Sequence, residues 1–167
     1  MTWICFLAGL ALLAIALGIA QHHLGTYMAR VFTSDKDTRV ETWCYRVMGV
    51  NPRAGQTRKS YARAVLAFSF CGVVFLYALQ RLQLWLPWSL GKGSVNPAVS
   101  FNTAISFVTN TNWQAYSPEA TLGHFVQLAG LCVQNFVSAA TGIAIAVALI
   151  RGFVGHGEHT IGNFWVD

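Results

Sequence analysis

The chain has 167 residues, of which 54% are hydrophobic and 10% charged, with a net charge of +5 at pH 7 and a mean hydropathy of +0.47. These values exclude a disordered chain, which combines low hydrophobicity with high charge. They also leave too little charge to cover a soluble globule, in which about a quarter of the residues are charged, so an all-α integral membrane protein is expected. Cys5, Cys44, Cys71 and Cys132 show neither CxxC spacing nor a disulfide framework and read as small buried hydrophobes.

The first element is an uncharged run from Trp3 to Ala20, long enough to cross most of a hydrocarbon core of about 30 Å. Gly18-Ile19-Ala20 resembles a signal-peptide cleavage site, but no Lys or Arg precedes the run and it is too long for an h-region. Residues 1–23 are therefore expected as an N-terminal transmembrane helix.

Residues 24–63 follow as a basic loop. Eight of the 11 basic residues lie between positions 30 and 63: Arg30, Lys36, Arg39, Arg46, Arg53, Arg58, Lys59 and Arg63. Clustering between two apolar spans is the positive-inside pattern rather than a nucleic-acid patch, so no nucleic-acid partner is expected. It places this loop in the cytoplasm and the N-terminus outside. Within it, Thr38 and Glu41 fit a capping box, Val40, Trp43, Cys44 and Val47 recur at helical spacing, and Gly49 is a stop. A short helix over 39–48 at the membrane surface is expected, an ordinary solvated loop being the alternative.

A second uncharged run covers 64–79, interrupted by Gln80 and Arg81 before 82–88, with Tyr77, Trp85 and Trp88 where an aromatic belt would lie. A third covers 125–150, and its Gln127, Gln134, Asn135, Ser138 and Thr141 should face protein or water rather than lipid. Arg151 would end it on the cytoplasmic side, leaving 153–167 as a cytoplasmic C-terminal segment.

Between these spans, Asn96 at the cap and Pro97 at the first helical position begin a helix expected over 97–108. Its length of about 18 Å is roughly half a bilayer. Phe101, Ile105 and Val108 make an apolar stripe, and Asn102 and Ser106 a polar one. The segment 109–114, Thr-Asn-Thr-Asn-Trp-Gln, then carries five uncharged hydrogen-bonding side chains. A half-helix followed by a polar stretch reads as a re-entrant loop, because irregular backbone at membrane depth must be buried in protein or line a water-filled path. Carbonyls and the negative helix end would suit a weakly hydrated monovalent cation. An external Asn/Thr-rich turn linking two helices is the other reading.

The stretch Ser106-Phe107-Val108-Thr109-Asn110-Thr111-Asn112-Trp113-Gln114, with Tyr116-Ser117, Val133 to Ala144, Ala148 to Arg151 and Gly162 to Asp167, resembles the KdpA family of potassium-binding and translocating subunits of bacterial Kdp P-type ATPases. The resemblance implies a potassium-channel-like architecture, in which four helix–pore loop–helix repeats surround one filter after an additional N-terminal helix. Residues 64–152 would be the first repeat, with half-helix 97–108 and filter 109–114. Potassium would be held by backbone and side-chain oxygens of Asn110, Thr111 and Asn112, with Thr109 flanking the site and Gln114 at the outer mouth. The implied surroundings are the lipid of a bacterial inner membrane, a separate catalytic ATPase subunit and small accessory subunits. No organic cofactor is implied.

Family members continue through three further repeats, so either four copies or additional chain would have to close the filter. The alternative expectation is a non-transporting membrane interaction fragment, truncated or split, that keeps helix packing without a closed filter. His156 and His159 are spaced three apart but flanked by Gly155 and Gly157, which favours a polar loop over a metal site. The pair His22-His23 and His124 fall at opposite faces, so no haem bridges them. Ser138, Gly142 and Ala146, and likewise Ala14 and Gly18, permit close helix approach. No phosphate loop or phosphorylation motif is present, so the chain is not expected to hydrolyse ATP itself.

Overall fold

The structure, a computed structural model, describes residues 2–34, 37–155 and 159–167. The described chain is all-helical apart from one isolated antiparallel bridge between Thr57 and Thr160. Three segments, Cys5–Thr33, Arg58–Trp85 and Val126–Val154, are long and apolar enough to cross a membrane. The chain divides into two compact units, residues 1–50 and 51–167.

The first unit holds α1 (Thr2–Thr33) and α2 (Arg39–Met48). α1 continues ten residues past position 23, where a loop was expected to begin. No proline interrupts residues 21–33, the Thr26 and Thr33 hydroxyls donate back to the His22 and Ala29 carbonyls, and Arg30 lies in the last turn where a cation suits the helix dipole. α2 has the bounds read from its pattern. Thr38 Oγ1 accepts from the Glu41 amide, the Glu41 carboxylate accepts from the Thr38 amide, and Gly49 closes the helix at φ +66°. Val40, Trp43 and Val47 form an exposed apolar stripe.

The second unit is built on α3 (Arg58–Leu82), which runs through Gln80 and Arg81 without a break and ends in a 3₁₀ turn at Gln83–Trp85. The polar residues that interrupt its hydropathy tie down the loop beyond. Gln80 is fully buried and donates to the Leu76 and Ser100 carbonyls at 3.0 and 3.2 Å, and Arg81 donates to the Val95 carbonyl. Gln83 donates to the Gly93 and Thr121 carbonyls and accepts from the Gly123 amide. Three side chains thereby fix residues 93–100 and 121–123 to one helix end.

The half-helix α4 (Pro97–Val108) has its expected bounds and packs on α3. Its buried face is Ser100, Thr103, Ala104 and Phe107, at i, i+3, i+4 and i+7, whereas Phe101 and Ile105 of the expected apolar stripe are exposed. Leu76, Val95, Leu122, Val126 and Leu131 complete this core around Ala104 and Phe107. A short helix α5 (Pro118–Thr121) leads to the third long segment, which begins as a π-helix over Val126–Cys132 before α6 (Val133–Val154). Gly130 lies on the inner side of the wide turn; a Cβ there would meet the Leu79 and Leu76 side chains at 3.1 and 3.3 Å.

At the opposite end of the unit, residues 159–167 turn back onto the start of α3. The Gln56 amide donates to the Gly162 carbonyl at 2.7 Å, the Ile161 amide donates to the Gln56 carbonyl, and Asn163 Nδ2 donates to the Asn51 and Ala54 carbonyls. Tyr61, Phe68, Phe164 and Trp165 stack edge to face, with ring centroids 5.2–6.0 Å apart. Arg151 pairs with Asp167 at 2.6 Å, and Tyr61 donates to the Ala144 carbonyl at 2.8 Å. The stretch 153–167, expected only as a trailing segment, is thus in its last part a structural clasp. His156 lies outside the described residues; His159 is exposed, and no group of metal-ligating side chains occurs among the described residues.

Candidate cation-binding site

α4 delivers the polar segment to a defined place. Asn96 Oδ1 accepts from the Ala98 amide at 2.9 Å and Pro97, which has no N–H, occupies the first helical position, so neither of the first two positions carries an unsatisfied donor. It ends at Thr109, and the chain then folds back over its own C-terminus. The amides of Thr109 and Asn110 donate to the Ile105 and Phe107 carbonyls at 2.9 and 3.3 Å. Those of Thr111 and Asn112 both donate to the Ser106 carbonyl, at 2.9 and 3.2 Å, and that of Trp113 to Ser106 Oγ at 2.8 Å.

This bonding determines where the acceptors go. In a trans peptide N–H and C=O point in opposite directions, and there is no cis peptide bond among the described residues. Five consecutive amides bound toward α4 therefore direct the carbonyls of Val108, Thr109, Asn110, Thr111 and Asn112 away from it. Among the described residues none of the carbonyls from Thr109 to Asn112 accepts a hydrogen bond. Reversing the chain so tightly requires left-handed backbone at Asn110 (φ +58°) and Asn112 (φ +55°), a conformation that asparagine tolerates better than other side-chain-bearing residues.

The side chains brace the turn. Thr109 Oγ1 donates to the Ile105 carbonyl at 2.8 Å, and Thr111 Oγ1 to the Ser106 carbonyl at 3.0 Å, the two hydroxyls lying 3.3 Å apart. Asn110 Oδ1 accepts from Asn112 Nδ2 at 3.1 Å and from Ser138 Oγ at 3.3 Å, which ties the loop to α6. Of the sequence-predicted residues, Thr109, Asn110, Thr111 and Asn112 form one hydrogen-bonded cluster. Gln114 stands apart, with Nε2 donating to the Tyr116 hydroxyl at 3.3 Å.

Sequence reasoning missed the organising residue, Ser106, which is 1% exposed and whose carbonyl and hydroxyl together gather three loop amides. Its only signal was a small polar residue in the last turn of an apolar half-helix. The polar members of the third span divide: Gln134 and Ser138 are buried, Gln127 and Thr141 bond to the Leu122 and Val137 carbonyls, and Asn135 is exposed. Gly142 has open space around it, so the Ser138/Gly142/Ala146 row makes no close approach through that glycine within the described residues.

From residue 96 to 114 there is no ionisable side chain. A divalent cation needs carboxylates to repay its dehydration, whereas neutral carbonyls suffice for a weakly hydrated monovalent ion. Residues 109–112, which carry this arc, are exposed.

Comparison with known proteins gives a match over residues 10–167 to the family model for KdpA, the potassium-transporting ATPase A subunit. The potassium-transporting ATPase potassium-binding subunit of Cutibacterium acnes (strain DSM 16379 / KPA171202) is 99% identical over all of this chain, which covers 30% of that protein. Proteins of the same name from Clavibacter sepedonicus and Nocardia farcinica are 59% and 57% identical over 94% and 96% of this chain, covering 28% and 29% of theirs. The chain thus spans less than a third of the length of these relatives.

Proposed function

Because the chain belongs to the KdpA family, we propose that its residues 97–114 form one pore loop of a potassium-binding subunit, contributing about one quarter of a carbonyl-lined filter. The observation that carries this reading is the inward bonding of five successive amides, which leaves the carbonyls of Thr109 to Asn112 without a protein donor among the described residues. A potassium ion arriving from outside exchanges water for these oxygens, and the neutral loop holds it weakly enough to let it go. Further loops of a complete subunit, or further copies, supply the rest of the shell. Hydrolysis of ATP belongs to a separate P-type catalytic subunit in the same complex, with small accessory subunits beside it.

The proposed setting is the bacterial inner membrane, with the N-terminus outside and the basic residues between 30 and 63 in the cytoplasm. The bonding of residues 159–164 to residues 51–57 supports putting both on one side, opposite the pore loop.

Asn112 tests the ligand type. Asn112→Gly keeps the left-handed backbone and removes the carboxamide, with its bond to Asn110 Oδ1, whereas Asn112→Val removes the same group and also strains that backbone. In a complete subunit assembled with its ATPase, potassium-stimulated ATP hydrolysis should keep its potassium affinity within a few-fold for the glycine variant and lose it for the valine variant. Equal affinity in both would remove residue 112 from the site, and equal loss would make the Asn112 carboxamide, rather than the backbone direction alone, necessary to it. No potassium response in any assembly that contains this sequence would favour a membrane interaction role without transport.

A further inference from the structure

Between the start of α3 and the end of α6 runs a groove of about 600 Å³, walled by Tyr61, Leu66, Leu149, Gly152 and Phe153 and with Arg58 among its lining residues. α3 has 25 residues and so a length of about 37 Å, which exceeds a hydrocarbon core of about 30 Å and brings its first turns to the interface. The groove is therefore apolar where acyl chains surround it, and Arg58 belongs to the helix turn that meets the headgroups.

The charge at this end is unbalanced. Arg58, Lys59 and Arg63 fall within the first two turns of α3, where the helix dipole is itself positive and no acidic residue is present. Asp167 is already paired with Arg151 and only 4% of its side chain is exposed. Among the described residues none of the three cations has a carboxylate partner. An apolar slot headed by Arg58, with Lys59 and Arg63 on the same two helix turns, matches a molecule with an acyl chain and an anionic head.

We propose that this groove is a binding site for one anionic glycerophospholipid, its acyl chain along Leu66, Leu149 and Phe153 and its phosphate beside Arg58. The inference requires α3 and α6 to cross a membrane but is independent of the filter reading. The clasp formed by residues 159–167 borders the groove through Ile161, so an occupying lipid would also brace the return segment.

The test is native mass spectrometry of the complete subunit, delipidated in mild detergent and titrated with phosphatidylglycerol or phosphatidylcholine. One retained phosphatidylglycerol, held at least about fivefold more strongly than phosphatidylcholine, is expected. Arg58→Gln should abolish that preference. Gly152→Leu should displace the lipid without unfolding the protein, because a Cβ at position 152 meets nothing within 4 Å. Arg81→Gln, at the other end of α3, leaves the preference intact. Equal retention of both lipids, or a preference unmoved by Arg58→Gln and Gly152→Leu, overturns the proposal. So does the absence of retained lipid, which would show the groove covered by the remainder of the subunit.

Discussion

Ser106→Ala isolates the bond that turns the pore-loop backbone. The hydroxyl accepts from the Trp113 amide at 2.8 Å and lies 3.2 Å from Thr111 Oγ1, in a side chain that is 1% exposed. Alanine leaves the amide without an acceptor, and a buried donor so orphaned costs about 1–3 kcal/mol. The bond is partly buried, so the lower half of that range applies, about 1–2 kcal/mol. Thr111 Oγ1 keeps the Ser106 carbonyl at 3.0 Å and adds little. If the loop must be folded over α4 to present its carbonyls, the cost appears in cation affinity, as a fall of about 5–30-fold. The assay is the potassium concentration for half-maximal stimulation of ATP hydrolysis by a complete complex, with its thermal unfolding recorded alongside. An unchanged potassium requirement in a complex with a normal amount of bound subunit would show that the direction of the 109–113 backbone does not set cation affinity.

Other substitutions probe the scaffold, with thermal unfolding of the complete subunit as the common measurement. Gln83→Leu removes the partner of the Gly123 amide and of two carbonyls and should destabilise by about 2–3 kcal/mol. Gln80→Leu should cost less, about 1 kcal/mol, because it also removes a buried Oε1 that has no partner among the described residues; a larger loss than for Gln83→Leu contradicts this. Gly123→Ala would place a Cβ 2.7 Å from Ser89 Cα and 2.9 Å from the Trp88 carbonyl, backbone that cannot rotate aside, and should cost about 1–3 kcal/mol. Gly152→Ala meets no neighbour in the last turn of α6 and should stabilise by about 0.5 kcal/mol or less. Arg151→Met leaves the Asp167 carboxylate with the Tyr61 hydroxyl but no cation and should cost about 1–3 kcal/mol, most of it recovered by adding Asp167→Asn.

Local chemistry made part of this molecule legible in advance. α2 and α4 have the bounds read from their sequence because each carries its own start signal: the Thr38/Glu41 box in one, Asn96-Pro97 in the other. The uncharged polarity of 109–114 likewise identified the segment that leaves the helix. What could not be read depends on partners distant in sequence. Gln80, Arg81 and Gln83 look like breaks in an apolar run until the carbonyls at 93–100 and 121 are brought beside them. Residues 159–167 look like a tail until Gln56 and Tyr61 receive them. The π-helix over Val126–Cys132 has no composition that distinguishes it from an ordinary apolar helix. Phe101 and Ile105, read from the sequence as part of an apolar stripe, are exposed, since α4 packs against α3 through its other side.

The most direct measurement is anomalous diffraction from crystals of a complete subunit carrying this sequence, soaked in thallium(I) as a stand-in for potassium. A thallium peak is expected in contact with backbone carbonyls between Thr109 and Asn112, on the side away from Ser106. A peak held by side chains alone, or thallium bound elsewhere with this arc of carbonyls empty, would contradict it.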